Sequence, residues 1–433
     1  MDKKIGIVGG GILGMTMAYR LSQKGYSVTI LEAAKSTGGL ASSWQIDDIV
    51  WDKFYHVILM SDNYTRTILK ELGLDDEINW VETKTGFYSE KKLHSMSNTF
   101  EFLKFPPLNL ISKFRLGFTI FYASRIKNWK KLEKVLVADW LTQISGKRTF
   151  EKMWLPLLKS KLGDMYTKTS AAFIWATIQR MYAARRSGLK KEMFGYINGG
   201  YATILDRFDK KLKESVINTL TGHKVKLINK SKNGKFSVEF INQETKEFDE
   251  VILTVPSPVI PRICPDISNE EKSKLTNTQY LGVVCAAILS DKPLSPYYVT
   301  NITDNGFPFT GVIEMTALID PKQIKGKYLI YLPKYVASND PVFNESDEII
   351  TNRFVKDLLK MHSHISKENI RFTGVARAKQ VFALSTLNYS ENIPQTKTSV
   401  NGLYIVNSSL ITNGTLNVNE TIQLAENAVK QYF

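Results

Sequence analysis

An α/β fold is what this 433-residue sequence predicts, and three observations predict it. Residues Lys4 to Glu32 read as strand, glycine turn, helix and strand. Further on, Phe248 to Val255 is an apolar run stopped by Pro256, the mark of a buried strand. At the end, Gly402 to Val406 is another strand, followed by apolar residues at helical spacing: Val418, Ile422, Ala425 and Val429.

The first element is Ile5-Gly6-Ile7-Val8, and the turn after it is Gly9-Gly10-Gly11-Ile12-Leu13-Gly14. Gly9 permits the tight turn, Gly11 has no Cβ to block a pyrophosphate, and Gly14 lets the helix lie close on the sheet. The helix carries Leu13, Met17 and Leu21 on one face and stops at Gly25. Its first N–H groups, beginning at Ile12 and Leu13, face the phosphates with the positive dipole end behind them. Glu32 closes the second strand, just before Ala33, and can accept hydrogen bonds from a ribose 2′-OH. An acid there argues against a 2′-phosphate. The reading is a Rossmann-type site for FAD or NAD.

Composition fits a globular chain of two or more structural domains, 43% hydrophobic and 23% charged. Fifty-seven basic against 42 acidic residues give a net charge of +15, which suits an anionic partner or simply a solvated surface. No nucleic-acid module signature is present, so no nucleic-acid partner is expected. Cys264 and Cys285 have no metal-ligand spacing; neither a disulfide framework nor a metal site is expected. His94, His223, His362 and His364 add no metal spacing, and His362-x-His364 reads as a solvated helix end. The nucleotide-binding strand begins right after Met1-Asp2-Lys3-Lys4, and no apolar run reaches the ~20 residues of a membrane span, so a cytoplasmic location is expected.

A Gly38-Gly39 loop follows the acid by a few residues, continuing Leu40-Ala41-Ser42-Ser43-Trp44. Paired glycines let a loop pass close to an extended ligand. With this loop the chain resembles the flavin amine oxidase superfamily, within it the branch holding protoporphyrinogen oxidases, carotenoid desaturases and UDP-galactopyranose mutases. The resemblance implies FAD rather than NAD, with Gly38, Gly39, Leu40 and Ala41 toward the flavin end. It also sets Asp52 to Val57 beside the isoalloxazine, with Phe54 where the family usually has glycine. His56 therefore becomes a candidate catalytic residue, since an imidazole exchanges protons near neutrality.

Residues 195–256 return to the family pattern. Gly199-Gly200 precedes a helix over Ala202 to Leu212, Val225 is the strand residue whose backbone meets the adenine, and Thr254 stands near the dinucleotide. After the strand 402–406 the family has Gly-Asp, and this chain has Asn407-Ser408; Ser408 is expected to hydrogen-bond the cofactor there. A loop with Asn413-Gly414-Thr415 leads to the last helix, whose start at Asn417, Val418 and Asn419 aims at the flavin pyrimidine. Asn417 and Glu420 form a capping-box pattern there. No cysteine or histidine sits in an attachment motif, so FAD is expected to be noncovalent.

Between these parts the chain changes character. Residues 102–131 interleave Phe105, Phe114, Phe118, Phe121 and Trp129 with lysines and arginines. Such a stretch suits peripheral contact with an anionic membrane, or a helical core with a snorkelling basic rim, and the core reading takes precedence. Helices follow to Arg186, and Arg180, Arg185 and Arg186 are candidates to hold an anionic small-molecule substrate. From about Ile263 to Asn392 strands dominate, with one helix near Glu348 to Met361. By resemblance Arg377 and Lys334 are the catalytic candidates there.

The resemblance thus implies an FAD domain over 1–90, 190–262 and 393–433, interrupted by an α+β substrate domain. Its helical part is 91–189 and its β-sheet part 263–392. The implied function is FAD-dependent oxidation of an unidentified small molecule, with hydride leaving to flavin N5. Two alternatives stand beside it: a non-redox mutase acting on a nucleotide sugar, and a non-catalytic flavoprotein subunit of a biosynthetic complex.

Overall fold

The computed structural model describes residues 3–46, 48–186, 193–412 and 415–433. In chain order, β1 (Lys4–Val8), α1 (Ile12–Gln23) and β2 (Ser27–Leu31) come first, then α2 (Asn63–Glu71). The hairpin β3 (Thr85–Ser89) and β4 (Lys92–Ser95) leads to α3 (Thr99–Lys104) and α4 (Leu110–Arg125). Shorter helices precede α5 (Ala171–Arg186), and α6 (Gly200–Glu214) returns the chain to β5 (Asn218–Leu220), β6 (Val225–Lys230) and β7 (Glu250–Leu253). Then follow β8 (Tyr280–Ser290), β9 (Val299–Ile302), β10 (Gly311–Glu314), β11 (Tyr328–Ala337), α7 (Asp347–Met361) and β12 (Ile370–Ala383). The chain closes with β13 (Leu403–Ile405) and α8 (Val418–Tyr432).

The short apolar runs pair as a parallel five-stranded sheet in the order β5-β2-β1-β7-β13. Such runs carry no polar alternation because both sheet faces are covered. On one face α1, α6 and α8 pack through Met17, Leu21, Phe208, Ile422 and Ala425. On the other, a three-stranded meander that starts with β6 packs through Val238, Phe240 and Phe248. The first and last helices lie side by side. Residues almost four hundred positions apart in sequence therefore share one wall of the nucleotide-binding domain.

A second, seven-stranded sheet runs β12-β8-β11-β10-β9-β3-β4, and all eleven residues of β8 are buried. One face, with Val283, Cys285 and Tyr331, packs on Trp51, Tyr55 and Phe194; the other, with Val284, Ile288 and Leu332, is covered by α7. The expected boundary at residue 90 falls inside the hairpin β3–β4, which is an edge of this sheet. The pairing of β3 with β9 extends the sheet beyond 263–392.

The core expected over residues 102–131 is only half formed. Phe105, Leu108 and Leu116 are buried, whereas Phe114, Phe118 and Phe121 are exposed at 76%, 48% and 51%. The stripe that α4 buries is Ser112, Lys113, Leu116, Thr119 and Ala123, small or polar apart from the leucine. Helix packing rewards close approach, and these small side chains let α4 approach its neighbours α5 and Val137–Ser145.

Candidate cofactor and active site

The glycine turn has the geometry that a pyrophosphate needs. Gly9 sits at φ +115°, and a Cβ on Gly14 would stand 2.0 Å from the Gly9 carbonyl oxygen, so α1 and β1 approach as closely as backbones can. Gly11 differs: its backbone is extended, and a Cβ there would meet nothing within 4 Å. That opening lies over the N-terminus of α1, where the Ile12 and Leu13 side chains turn into the core and leave the backbone to face outward. A bound phosphate fits this cradle.

Glu32 Oε2 accepts the Gly10 N–H at 2.6 Å and Oε1 accepts the Ala34 N–H at 2.7 Å; Ala33 between them is exposed. The carboxylate is thus fixed at the rim of the turn with lone pairs left for ribose hydroxyls. Val225 is buried beside Val8 and Leu31, at a bulge in the meander. Thr254 Oγ1 donates to the carbonyl of Val8 at 2.9 Å, and a Cβ on Gly9 would collide with it.

The Gly38-Gly39 loop lies directly on this turn. The Gly38 N–H donates to the Gly10 carbonyl at 2.8 Å, and Gly39 passes close to the Gly11 Cα. Leu40 is half-buried and Ala41 is buried in the core beneath. Thr37 Oγ1 donates to the Asp209 carboxylate on α6 at 2.8 Å, which ties the loop to the domain.

Farther along, Asp52 is fully buried and its Oδ1 accepts the Tyr201 N–H at 2.8 Å. Burial pushes the Asp52 carboxyl up from its ordinary range, against the opposing pull of His56 and the Tyr201 N–H. His56 lies against Tyr201 with ring centroids 4.8 Å apart and planes tilted by 47°, and its Nδ1 is 3.6 Å from Asp52 Oδ2, too long for a hydrogen bond. That buried Nδ1 has no hydrogen-bond partner among the described residues. Above this segment, Tyr331 OH donates to the Asp52 carbonyl at 2.6 Å, and the Tyr55 and Tyr335 hydroxyls meet at 2.8 Å. Burial and the Tyr335 hydroxyl push Tyr55 well above the ordinary phenol range.

The start of α8 completes the group. Asn417 Oδ1 accepts the Glu420 N–H at 3.0 Å, one arm of the expected capping box. Asn419 does not face outward: its Oδ1 accepts the N–H groups of Tyr64 and Thr65 and caps α2. The first-turn N–H groups of Val418 and Asn419 remain as the helix's outward donors. Asn407 is a buried structural knot, donating to the Val255 carbonyl and accepting from Ser409, while Ser408 beside it is half-buried. The loop at Asn413-Gly414 lies outside the described residues.

The arginine expectations change. Arg180 contacts buried Asp62 Oδ2 at 3.2 Å with half-buried Glu420 close by, so its guanidinium is already paired with acid. The side chains of Arg185 and Arg186 lie outside the described residues. Arg377 is a correction: it is paired in register with Val284 and bonds Asp347 of α7 and the Glu345 carbonyl, on the sheet face opposite Tyr331. Lys334 shares that outer face, since it too lies opposite Val284. His362 is 3% exposed rather than solvated.

By resemblance the sequence set Asp52 and Tyr55 beside the isoalloxazine, whereas Asp62, Tyr201 and Tyr335 of this cluster were given no role from the sequence. In the structure Asp52 follows buried Trp51, so two successive strand residues are buried where alternation would expose one. Among the described residues no group of three or more His, Cys, Asp or Glu is placed to hold a metal ion, and both cysteines are free and buried. No described helix is long and apolar enough to cross a membrane.

Comparison with known proteins agrees with this geometry. A hydroxysqualene dehydroxylase from Zymomonas mobilis is 25% identical over 295 residues, covering 65% of this chain and 69% of that protein. Protoporphyrinogen oxidase 2 of Arabidopsis thaliana is 29% identical over 75 residues, which is 17% of this chain and 15% of the plant protein's length. The crystal structure of an oxidoreductase from Methanosarcina mazei superposes with a TM-score of 0.77 at 19% identity, over 99% of this chain and 100% of that one, a likeness of fold. The family model for flavin containing amine oxidoreductases matches residues 14–417, from the glycine turn to the cap of the last helix. With that match covering most of the chain, the protein belongs to the flavin-containing amine oxidoreductase family and is an FAD-dependent oxidoreductase.

Proposed function

We propose that this enzyme removes a hydride from carbon, and a proton from the neighbouring atom, of a small and mostly apolar substrate held between Asp52–Val57 and strands β8 and β11. The observation that carries this reading is the mainly aromatic wall above the segment: Cys285, Tyr298 and Tyr331 are buried and the Tyr55–Tyr335 pair is half-buried, with Asp52 beneath and Lys161 over the Tyr335 ring as charged neighbours. Bound FAD supplies the two-electron acceptor, which oxygen or another oxidant restores. Gly11, Glu32, Gly38 and the N–H groups at the start of α8 bind and orient it. The paired Tyr55 and Tyr335 hydroxyls exclude water and offer a hydrogen bond to the substrate. His56, with its unpaired Nδ1 beside Asp52, is assigned as acceptor of the released proton.

The test is anaerobic mixing of the FAD-loaded protein with amines, porphyrinogens, polyenes and nucleotide sugars while flavin absorbance is followed. Bleaching by one of the less polar classes is expected. Turnover of a nucleotide sugar that requires prior reduction and leaves no net redox change would establish the mutase reading instead. An absence of bleaching by every class leaves the non-catalytic subunit.

A further inference from the structure

The sequence between Phe100 and Tyr122 concentrates exposed apolar surface in one place. Of the fifteen large hydrophobic side chains exposed among the described residues, nine lie in these 23 positions. Seven of them are on α4, where Leu110, Ile111, Phe114, Phe118 and Phe121 share one face at helical spacing, with Ile120 and Tyr122 flanking it. Phe100 and Leu103 of α3 extend the face, and a groove of about 430 Å³ opens between the two helices. Contiguous apolar surface of this kind on a folded chain marks an interaction site.

The charge beside it is predominantly basic. Lys104 stacks on Phe100 at 4.8 Å and Arg125 on Phe121 at 5.0 Å, so the basic rim abuts the aromatic face. Lys127, Lys130, Lys131 and Lys134 continue it, all exposed. Of the two acids in residues 100–134, Glu133 is buried and accepts from Ser390, while half-exposed Glu101 accepts from Ser95 and the Ser97 N–H. The exposed cations of this stretch far outnumber its one half-exposed acid.

We propose that this face docks on an anionic phospholipid bilayer, with the α4 aromatics in the headgroup–acyl boundary and the lysines against the lipid phosphates. Aromatic and aliphatic side chains beside basic ones are what such an interface selects. At sixteen residues α4 is about 24 Å long, too short to span the ~30 Å hydrocarbon layer, so it lies in the surface. A second copy of the chain is the poorer occupant: a two-fold contact through this face would set one basic rim against another.

The test is flotation of the FAD-loaded protein with vesicles of phosphatidylcholine alone and of phosphatidylcholine with phosphatidylglycerol. Flotation with the anionic vesicles, and weak or no flotation with the zwitterionic ones, is expected. Phe114→Glu with Phe118→Glu abolishes it while flavin absorbance and melting temperature stay unchanged, because both side chains are already in solvent. Lys130→Gln, Lys131→Gln and Lys134→Gln together weaken partitioning about tenfold or more. The proposal is overturned by failure to float, by equal flotation on both vesicles, or by a concentration-dependent dimer without flotation that the phenylalanine variant dissociates.

Discussion

The buried Asp52 carboxylate accepts the backbone N–H of Tyr201 at 2.8 Å and so joins two segments 149 residues apart in the chain. The bond brings the end of the strand Ile49–Asp52 to the first turn of α6, and His56 rests on the Tyr201 ring beside it. Two variants separate its roles. Asp52→Asn keeps an acceptor for Tyr201 and removes the charge beside His56. We expect a folded protein that retains FAD but is reduced by substrate at least about tenfold more slowly, read by stopped-flow absorbance. Gly200→Ala forces a Cβ to 2.8 Å from Asp52 Oδ1 on a backbone at φ +67°. A loss of about 2–3 kcal/mol in stability is expected, with weakened FAD binding, in thermal melts and flavin titration.

The two ends of the glycine turn respond oppositely to one methyl group. Gly11→Ala has an extended backbone and open space, so the apo-protein should melt unchanged while its dissociation constant for FAD rises about tenfold or more. Gly14→Ala must displace the Gly9 carbonyl and costs about 1–3 kcal/mol before any cofactor is added. Calorimetry of apo and FAD-loaded forms distinguishes them.

Arg180 and Asp62 make a half-buried ion pair, and Asp62 also accepts the Leu59 N–H. Arg180→Gln leaves that carboxylate without its counter-charge and should destabilise by up to about 3 kcal/mol. The double variant with Asp62→Asn should recover most of the loss. Lack of recovery in the double-mutant cycle would return Arg180 to substrate binding.

Two buried groups around Leu294 titrate against each other. Burial outweighs three hydrogen bonds at Glu314 and pushes its carboxyl up to about 7, while burial pushes His362 down to about 4. Glu314 holds its proton more tightly folded than unfolded, so its contribution is present below pH 4.5 and is lost as pH rises toward 7. His362 resists protonation when folded, so its contribution is present above pH 6.5 and is lost as pH falls toward 4. Each is worth about 3 kcal/mol at most, and they oppose across the shared window. Relative to the parent, His362→Phe should make stability fall more steeply from pH 4.5 to 6.5, and Glu314→Gln should make it rise, in urea unfolding.

The nucleotide-binding half was legible because its signals are local. Glycines at Gly9, Gly11 and Gly14, an apolar strand on each side and an acid at Glu32 are spaced by the geometry of a single crossover, and the structure has each of them in that geometry. Arg377 was assigned by resemblance, and the pattern of its own sheet could not correct that. Alternation says that neighbouring residues face opposite ways, but both faces of β8, β11 and β12 are buried, so it does not say which side is the flavin's. Asn419 was assigned by its helix position, while its side chain serves a different helix that only the fold brings near.

Period, glycine spacing and the acid at Glu32 thus determined the α/β class and the dinucleotide turn, because each is written within thirty or so residues, and a resemblance carried by the Gly38-Gly39 loop and later motifs pointed to the family. Tertiary structure decided what depends on distant neighbours: that Asp52 meets Tyr201, that Arg180 is already paired, and that α4 buries its small residues and shows its aromatic ones. Hydrogen bonds and packing between remote segments leave no fixed spacing in the chain, since the loops that separate them can vary in length at little entropic cost.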